Sequence, residues 1–294
     1  MKTINFPEYE ILDTKDGMKL ENWNGIKLLR PDPQIIWTKK KNEFWSSIDA
    51  KYIRSNKGGG EWQIFNKNMP EKFQIHYNDL TFNLKLMGFK HTGLFPEQAY
   101  NWELLRQKIS NKKNVKVLNL FAYTGGASIA ALKSGASVVH VDSSRGMIDW
   151  AKENVISNNL EDRPIRFIVD DVVKFVDRDI RRGNKYDIIL MDPPSFGRGA
   201  NKEIWNIEND LFNLVEKCSK LLSDDPILFL INSYTTGLSM TVLENILRLN
   251  ISNKYKGFIS SDELGIKTID ENIILPCGIY ARWEKEKYDW EKGE

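Results

Sequence analysis

Cysteine and histidine are scarce in this chain. Two cysteines, Cys218 and Cys277, and three histidines, His76, His91 and His140, are spread over 294 residues. No CxxC pair occurs, which argues against a disulfide framework or a zinc site and fits a reducing compartment. Histidines so scattered make a metal centre unexpected as well. Long apolar runs are also missing. Ile227–Ile231 is strand-sized, far short of the roughly 20 residues that span a bilayer, so no membrane association is expected. The opening MKTINFPEYE lacks the apolar core of a signal peptide, and the expected location is the cytoplasm. Neither sign of charge dominates: 42 Lys and Arg stand against 40 Asp and Glu, a net charge of +2. Residues 1–110 carry 17 basic and 13 acidic side chains. That mild basic bias, which includes Lys39-Lys40-Lys41, permits a polyanionic partner and fits a solvated surface equally well. Two nucleotide signatures are absent too: GxGxxG, and GxxxxGK followed by Ser or Thr.

Two regions differ in pattern. Residues 1–110 read as mostly β with turns, a smaller N-terminal domain. Glu8–Leu12 and Gly25–Leu29 flank the turn-rich Asp13–Gly17, and Arg30-Pro31-Asp32-Pro33 breaks the pattern because proline cannot sit inside a paired strand. Lys57-Gly58-Gly59-Gly60 reads as a flexible loop. Phe73–Tyr77 and Leu80–Leu86 predict a hairpin closed by Asn78-Asp79. Tyr100–Ile109 reads as a helix, and Ser110–Asn114 as a linker. Residues 111–294 then alternate. Strands are predicted at Val115–Phe121, Ser137–Val141, Ile165–Val169, Tyr186–Met191 and Ile227–Ile231. Helices are predicted at Ala127–Ser134, Gly146–Asn158, Val172–Arg182, Leu211–Leu222 and Met240–Leu249, and Ile273–Trp283 reads as β. Such alternation indicates a Rossmann-like, doubly wound α/β domain with a mostly parallel sheet and helices on both faces.

In an open parallel sheet the ligand crevice lies at the carboxyl ends of the strands. Four such ends carry chemistry here. Val115–Phe121 runs into Phe121-Ala122-Tyr123-Thr124-Gly125-Gly126, where small residues let a ligand approach the backbone, or simply close a tight strand-to-helix turn. The next strand ends in Asp142, a carboxylate that can accept both hydroxyls of a ribose or can cap the helix starting near Ser143-Ser144. The third ends in Asp170-Asp171, one of which can accept from an adenine amino group while the other caps a helix or faces solvent. The fourth ends in Asp192-Pro193-Pro194-Ser195-Phe196. Two prolines fix the backbone and remove two donors, leaving carbonyls to face a ligand. An aspartate beside them completes an acceptor cluster for an amino group, and Phe196 can stack on a flipped-out base. Gly197-Arg198-Gly199 adds a cation beside it.

These motifs resemble the class I S-adenosylmethionine-dependent methyltransferases over about residues 90–283. The strings FKHTGLFPEQ (89–98), VLNLFAYTGGAS (117–128), DDVVKFV (170–176), MDPPSFGRG (191–199), NSYTTGLS (232–239) and LPCGIYARW (275–283) resemble the bacterial large-subunit ribosomal RNA methyltransferase group, and GGGEW (58–62) extends the likeness. The resemblance implies a seven-stranded methyltransferase sheet. It implies S-adenosylmethionine as cofactor, S-adenosylhomocysteine as product and RNA, ribosomal RNA in particular, as partner. It puts Phe121, Ala122, Tyr123, Thr124, Gly125 and Gly126 along the methionine part of the cofactor, Asp142 with Ser143 at the ribose, and Asp171 with Val172 at the adenine. Thr92–Gln98, Thr92 and Gln98 foremost, would close over the cofactor with Asn101. Asp192, Pro193, Pro194 and Phe196 would face the methyl acceptor, Asp192 touching the cofactor too.

Two departures bear on mechanism. The usual first-strand acid is Asn119 here. Where 5-methylcytosine enzymes keep a cysteine after the fifth strand, this chain has Ser233, a poor nucleophile toward a pyrimidine ring. Cys218 and Cys277 read as packed residues. The expectation is therefore a methyltransferase acting on a base of RNA by direct transfer, with no covalent cysteine intermediate. A methyltransferase for a small molecule or protein, and a non-catalytic RNA-binding module on the same fold, are the alternatives. A nicotinamide oxidoreductase is opposed by the missing GxGxxG.

Overall fold

Turn chemistry builds the N-terminal strands. The computed structural model describes residues 1–38, 45, 47–55, 59–198, 204–269 and 272–287. After β1 (Lys2–Thr3), β2 (Tyr9–Lys15), β3 (Met18–Trp23) and β4 (Ile26–Pro31) form a meander. Both of its turns have left-handed backbone at two successive residues, Asp16-Gly17 (φ +49° and +75°) and Asn24-Gly25 (φ +49° and +92°). That geometry matches the twist of the flanking strands and selects Asp-Gly and Asn-Gly. The turn is thus confined to Asp16-Gly17, and Asp13–Lys15, which the sequence suggests as turn, stays in β2. Pro31 ends β4 rather than interrupting it. β5 (Ala50–Arg54) and β6 (Gly60–Ile64) complete a five-stranded sheet in sequential order. Gly60 opens a strand; Lys57-Gly58 and Lys39–Lys41 lie outside the described residues. β7 (Lys72–Tyr77) and β8 (Leu80–Lys85) form the expected hairpin, with Asn78 left-handed at its tip (φ +51°).

From α1 (Ala99–Ile109) onward the elements alternate: β9 (Lys116–Leu120), α2 (Gly126–Lys133), β10 (Ser137–Asp142), α3 (Arg145–Ser157), β11 (Ile165–Val169), α4 (Val172–Arg181) and β12 (Ile188–Met191). A short hairpin, β13 (Phe196–Arg198) with β14 (Ile204–Asn206), precedes α5 (Ile207–Ser219), β15 (Leu228–Ser233) and α6 (Met240–Leu247); β16 (Phe258–Lys267) and β17 (Ile274–Glu284) close the chain. The large sheet has the order β11-β10-β9-β12-β15-β17-β16-β1. β10, β9, β12 and β15 are parallel neighbours of one another, and β17 is antiparallel to β15. The Rossmann-like α/β reading therefore holds, with an eighth strand, β1, added beside β16. β16 and the hairpin β13–β14 are absent from the sequence reading.

The chain forms two compact units: Met1–Tyr100 with Leu264–Cys277, and Asn101–Glu263 with the described residues from Gly278 onward. In the second, Val117, Leu118, Leu120, Ile188, Ile189, Phe229 and Ile231 are buried, the near-continuous apolar strands expected of a sheet covered on both faces. Phe175, Leu214, Leu243 and Trp283 join that core.

Inside the first unit lies a buried ion cluster. Glu21 is fully buried and accepts from Arg30 Nε at 2.5 Å, from Arg30 Nη2 at 2.6 Å and from the Tyr9 hydroxyl at 2.6 Å. Burial alone would raise the Glu21 pKa, but Arg30 and Lys19 outweigh it and bring it from the ordinary 4.5 to about 2. Arg30 also donates through Nη1 to the Lys90 carbonyl at 2.9 Å. A carboxylate whose folded pKa is depressed contributes stability that is whole above its unfolded pKa and is lost as pH falls toward the folded one. Glu21→Gln should therefore lose about 3 kcal/mol at pH 7, since removing one partner strands a buried cation. In urea melts the gap from wild type should narrow steadily between pH 4.5 and pH 2.

Candidate active site

β9 lies between β10 and β12, and the chain leaves β9 in one direction and returns on its other side. This is the position at which doubly wound sheets open a ligand crevice. Three of the four sequence signatures follow β9, β10 and β12, and the fourth follows β11 at the sheet edge.

The turn after β9 is held in an unusual conformation. Phe121 and Tyr123 have φ of +54° and +52°, and Gly125 has φ of +91°. A bulky residue in this region stores on the order of 1–3 kcal/mol and persists only where neighbours enforce it. Ala122 N–H donates to the Val141 carbonyl at 3.0 Å, Tyr123 N–H to Asp142 Oδ2 at 2.9 Å, and Asn154 Nδ2 to the Thr124 carbonyl at 2.9 Å. Gly126 is dictated by packing, because a Cβ there would lie 2.7 Å from the Trp102 ring. Beneath the turn, Asn119 Nδ2 donates to Ser128 Oγ at 3.0 Å, and that oxygen lies 2.9 Å from His140 Nδ1. Burial lowers the His140 pKa to about 3, so the imidazole is neutral at physiological pH. Asn119, in place of an acid, is thus part of a neutral buried chain.

Asp142 takes a backbone N–H on each oxygen, Tyr123 on Oδ2 and Ser144 on Oδ1 at 2.8 Å. Burial raises its pKa, and those two donors oppose the rise. Helix capping falls to Ser144, which is the N-cap of α3 and accepts from Met147 N–H; Ser143 is exposed. At the end of β11 the assignments divide. Asp171 is the N-cap of α4, its Oδ1 accepting from Lys174 N–H at 2.9 Å, ahead of the buried Val172. Asp170 pairs with Arg178.

After β12, Asp192 N–H donates to the Leu120 carbonyl at 3.4 Å, which joins this loop to the end of β9. The notion that both prolines leave carbonyls open needs correction, because the Pro194 carbonyl accepts from Trp205 Nε1 at 2.7 Å. The Ser195 carbonyl accepts from Ile207 N–H at 3.1 Å. Pro193 is buried, and Phe196 is 54% exposed. Trp205 went unnoticed in the sequence, yet its ring centroid lies 5.2 Å from that of Phe121, so one indole touches both the turn and the proline loop. The only available signal was a lone tryptophan shortly after DPPSF. Ser233 is buried and its hydroxyl accepts from Thr235 N–H at 3.1 Å; the Thr235 hydroxyl lies 2.7 Å from Ser195 Oγ. Asn101 donates to Asn232 at 2.9 Å. Cys218 is fully buried on α5 and burial pushes its pKa up; Cys277, of the first unit, is also raised by burial. Thr92 and Gln98 are buried in the first unit as well.

The sequence profile of the S-adenosylmethionine-dependent methyltransferases matches residues 50–255. The chain belongs to this family. A crystal structure of a SAM-dependent methyltransferase from Agrobacterium tumefaciens is 32% identical and superimposes with a TM-score of 0.90, covering 97% of this chain and 94% of that one. A methyltransferase structure complexed with SAH is 20% identical, with a TM-score of 0.71, and covers 94% of this chain and 75% of that one, a likeness of fold. Ribosomal RNA large subunit methyltransferase K/L of Pseudoalteromonas atlantica is 34% identical over 177 residues, 60% of this chain and 24% of that protein. Its counterpart from Syntrophotalea carbinolica is 31% identical over 190 residues, 64% of this chain and 26% of that protein. The chain thus spans about a quarter of the length of these curated relatives. Among the described residues no helix is long and apolar enough to cross a membrane, and no three His, Cys, Asp or Glu side chains gather as a metal site.

The donor set suits the family's cofactor. A partly desolvated carboxylate with both oxygens fixed suits the hydroxyls of a diol, and the strained backbone turn beside it leaves main chain close to the crevice. Gly126→Ala should force the turn off the Trp102 ring. We expect a loss of about 1–3 kcal/mol in thermal unfolding, the usual cost of overpacking, together with at least tenfold weaker calorimetric binding of S-adenosylmethionine.

Proposed function

We propose that this methyltransferase transfers the methyl group of S-adenosylmethionine to a base of RNA, ribosomal RNA foremost, by direct displacement in the cytoplasm. The observation that carries the reading is the meeting of the Asp142-anchored turn after β9 with the Asp192-Pro193-Pro194-Ser195-Phe196 loop after the neighbouring β12, joined by Trp205. The names of the K/L relatives support the ribosomal substrate.

Bound S-adenosylmethionine supplies an electrophilic methyl on a sulfonium. Asp142, its oxygens held by two N–H donors, would accept the ribose hydroxyls, with Ser143 beside it. Asp171 would accept the adenine amino group through the oxygen that the α4 cap does not use, with Val172 against the ring. Phe121 to Gly126 would line the methionine part. Thr92 and Gln98 are proposed as cofactor contacts from the N-terminal region, whose mild basic bias suits RNA recognition. Asp192 and the Pro193 carbonyl would orient an acceptor nitrogen and stabilise the positive charge that develops on it. Phe196, half in solvent, would stack on the acceptor base. Alignment then supplies much of the rate. No covalent intermediate is required. Ser233 is committed to a turn, and burial holds both cysteines as thiols.

Asp142→Asn should weaken S-adenosylmethionine binding about tenfold or more, because hydrogen bonds to a charged group contribute about 1.5–3 kcal/mol. The raised pKa of Asp142 means that its charge is lost at a higher pH than an ordinary aspartate's. Wild-type affinity should accordingly fall on acidification while the Asn variant stays flat. Asp192→Ala should abolish turnover and leave cofactor affinity within a few-fold; full activity in that variant removes the mechanism. An empty calorimetric titration of the wild type points instead to a non-catalytic module. Nucleoside mass spectrometry of ribosomal RNA from a deletion strain should show one modified nucleoside missing, and an unchanged profile directs attention to another acceptor.

A further inference from the structure

At the end of the sheet remote from the candidate active site, the amino ends of β9, β10, β11 and β12 surround a cavity of about 290 Å³. Lys116, Ser137, Pro164, Arg166, Lys185 and Tyr186 line it. Three of these are cations. Lys116 and Arg166 are exposed and enter no ion pair among the described residues. Lys185 spends one of its three ammonium donors on the Lys220 carbonyl at 2.8 Å. The nearby carboxylates are held in place by hydrogen bonds within the fold. Asp187 accepts from Lys116 N–H at 2.9 Å and from the Ser223 hydroxyl at 2.7 Å, and the Tyr186 hydroxyl donates to Asp179 at 2.6 Å. The loops leading into the same strand ends add Lys112, Lys113, Arg163, Arg181 and Arg182, all exposed, against exposed Glu161 and Asp162. This end of the sheet is basic although the second unit as a whole is not.

We propose that this cavity seats a backbone phosphate of the RNA, a second anchor beyond the target nucleotide; the proposal rests on the RNA reading above. Its position suits that task. β11 is the edge strand, so no further strand pairs along the sheet edge that joins the two ends. Five strand residues at about 3.3 Å each put the two ends roughly 17 Å apart, within the span of a short RNA segment. Contacts to phosphate fix register without reading sequence.

The test is RNA binding by fluorescence anisotropy across a salt series, using a ribosomal RNA fragment and the full chain. Neutralising one phosphate contact lowers the slope of log affinity against log salt by about 0.7–0.9. Lys116→Ala with Arg166→Ala should show that drop and bind RNA several-fold more weakly at moderate salt, with unchanged S-adenosylmethionine affinity and thermal midpoint. Arg166→Glu should weaken binding further, whereas Arg248→Glu, the same charge change just after α6, should not. Wild-type slope and affinity in the double variant, or equal losses from Arg166→Glu and Arg248→Glu, overturn the anchor while leaving an RNA-binding enzyme. Absence of salt-dependent RNA binding by the wild type overturns the RNA reading and the anchor with it.

Discussion

One hydrogen bond organises the site: Tyr123 N–H to the carboxylate of Asp142 at 2.9 Å. It links the end of β10 to the turn after β9, and it helps hold two aromatic residues in backbone that L-amino acids avoid. Without a fixed acceptor there, the turn could relax and the backbone facing the crevice would change shape. The carboxylate in turn is kept partly out of water and given two donors, so its geometry is settled before any ligand arrives. Preorganisation of this kind removes an ordering cost from binding.

The second organising element is an indole. Trp205 belongs to β14, yet its nitrogen takes the Pro194 carbonyl and its ring lies against Phe121. The loop that would face an acceptor and the turn that would face the donor are therefore braced by one rigid side chain. Alignment of two reactants is where such an enzyme gains rate, so a shared brace is an economical way to keep both walls in register. Ser195 and Thr235 add a further tie to the loop after β15.

Much of this was legible in the sequence because the relevant signals are local. Apolar strands ending in Asp142, Asp171 and Asp192 mark the carboxyl edge of a parallel sheet, and the Asn78-Asp79 turn marks the separate β7–β8 hairpin. What escaped notice was non-local or masked by composition. Met18–Trp23 mixes charged and apolar residues because its buried Glu21 finds Arg30 across the sheet, so period-two alternation is blurred. β16 reads as polar because few of its residues are buried. Leu264–Cys277 returns to the first unit, where Leu264 and Gly265 pair with Lys2 and Thr3, some 260 positions away in the chain. Pro194 shows the limit of motif reading: a missing donor is visible in sequence, whereas the consumption of its carbonyl by a tryptophan is not.

The neutral chain of Asn119, Ser128 and His140 carries a consequence for how the pocket responds to its surroundings. A histidine usually makes a site sensitive to mild acid. Here the imidazole is sealed under the turn and resists protonation down to about 3, so the floor keeps one electrostatic character over the whole range in which cells live. Any proton-linked tuning of this enzyme must then enter from the rim, which leaves the foundation of the crevice indifferent to metabolic swings in acidity.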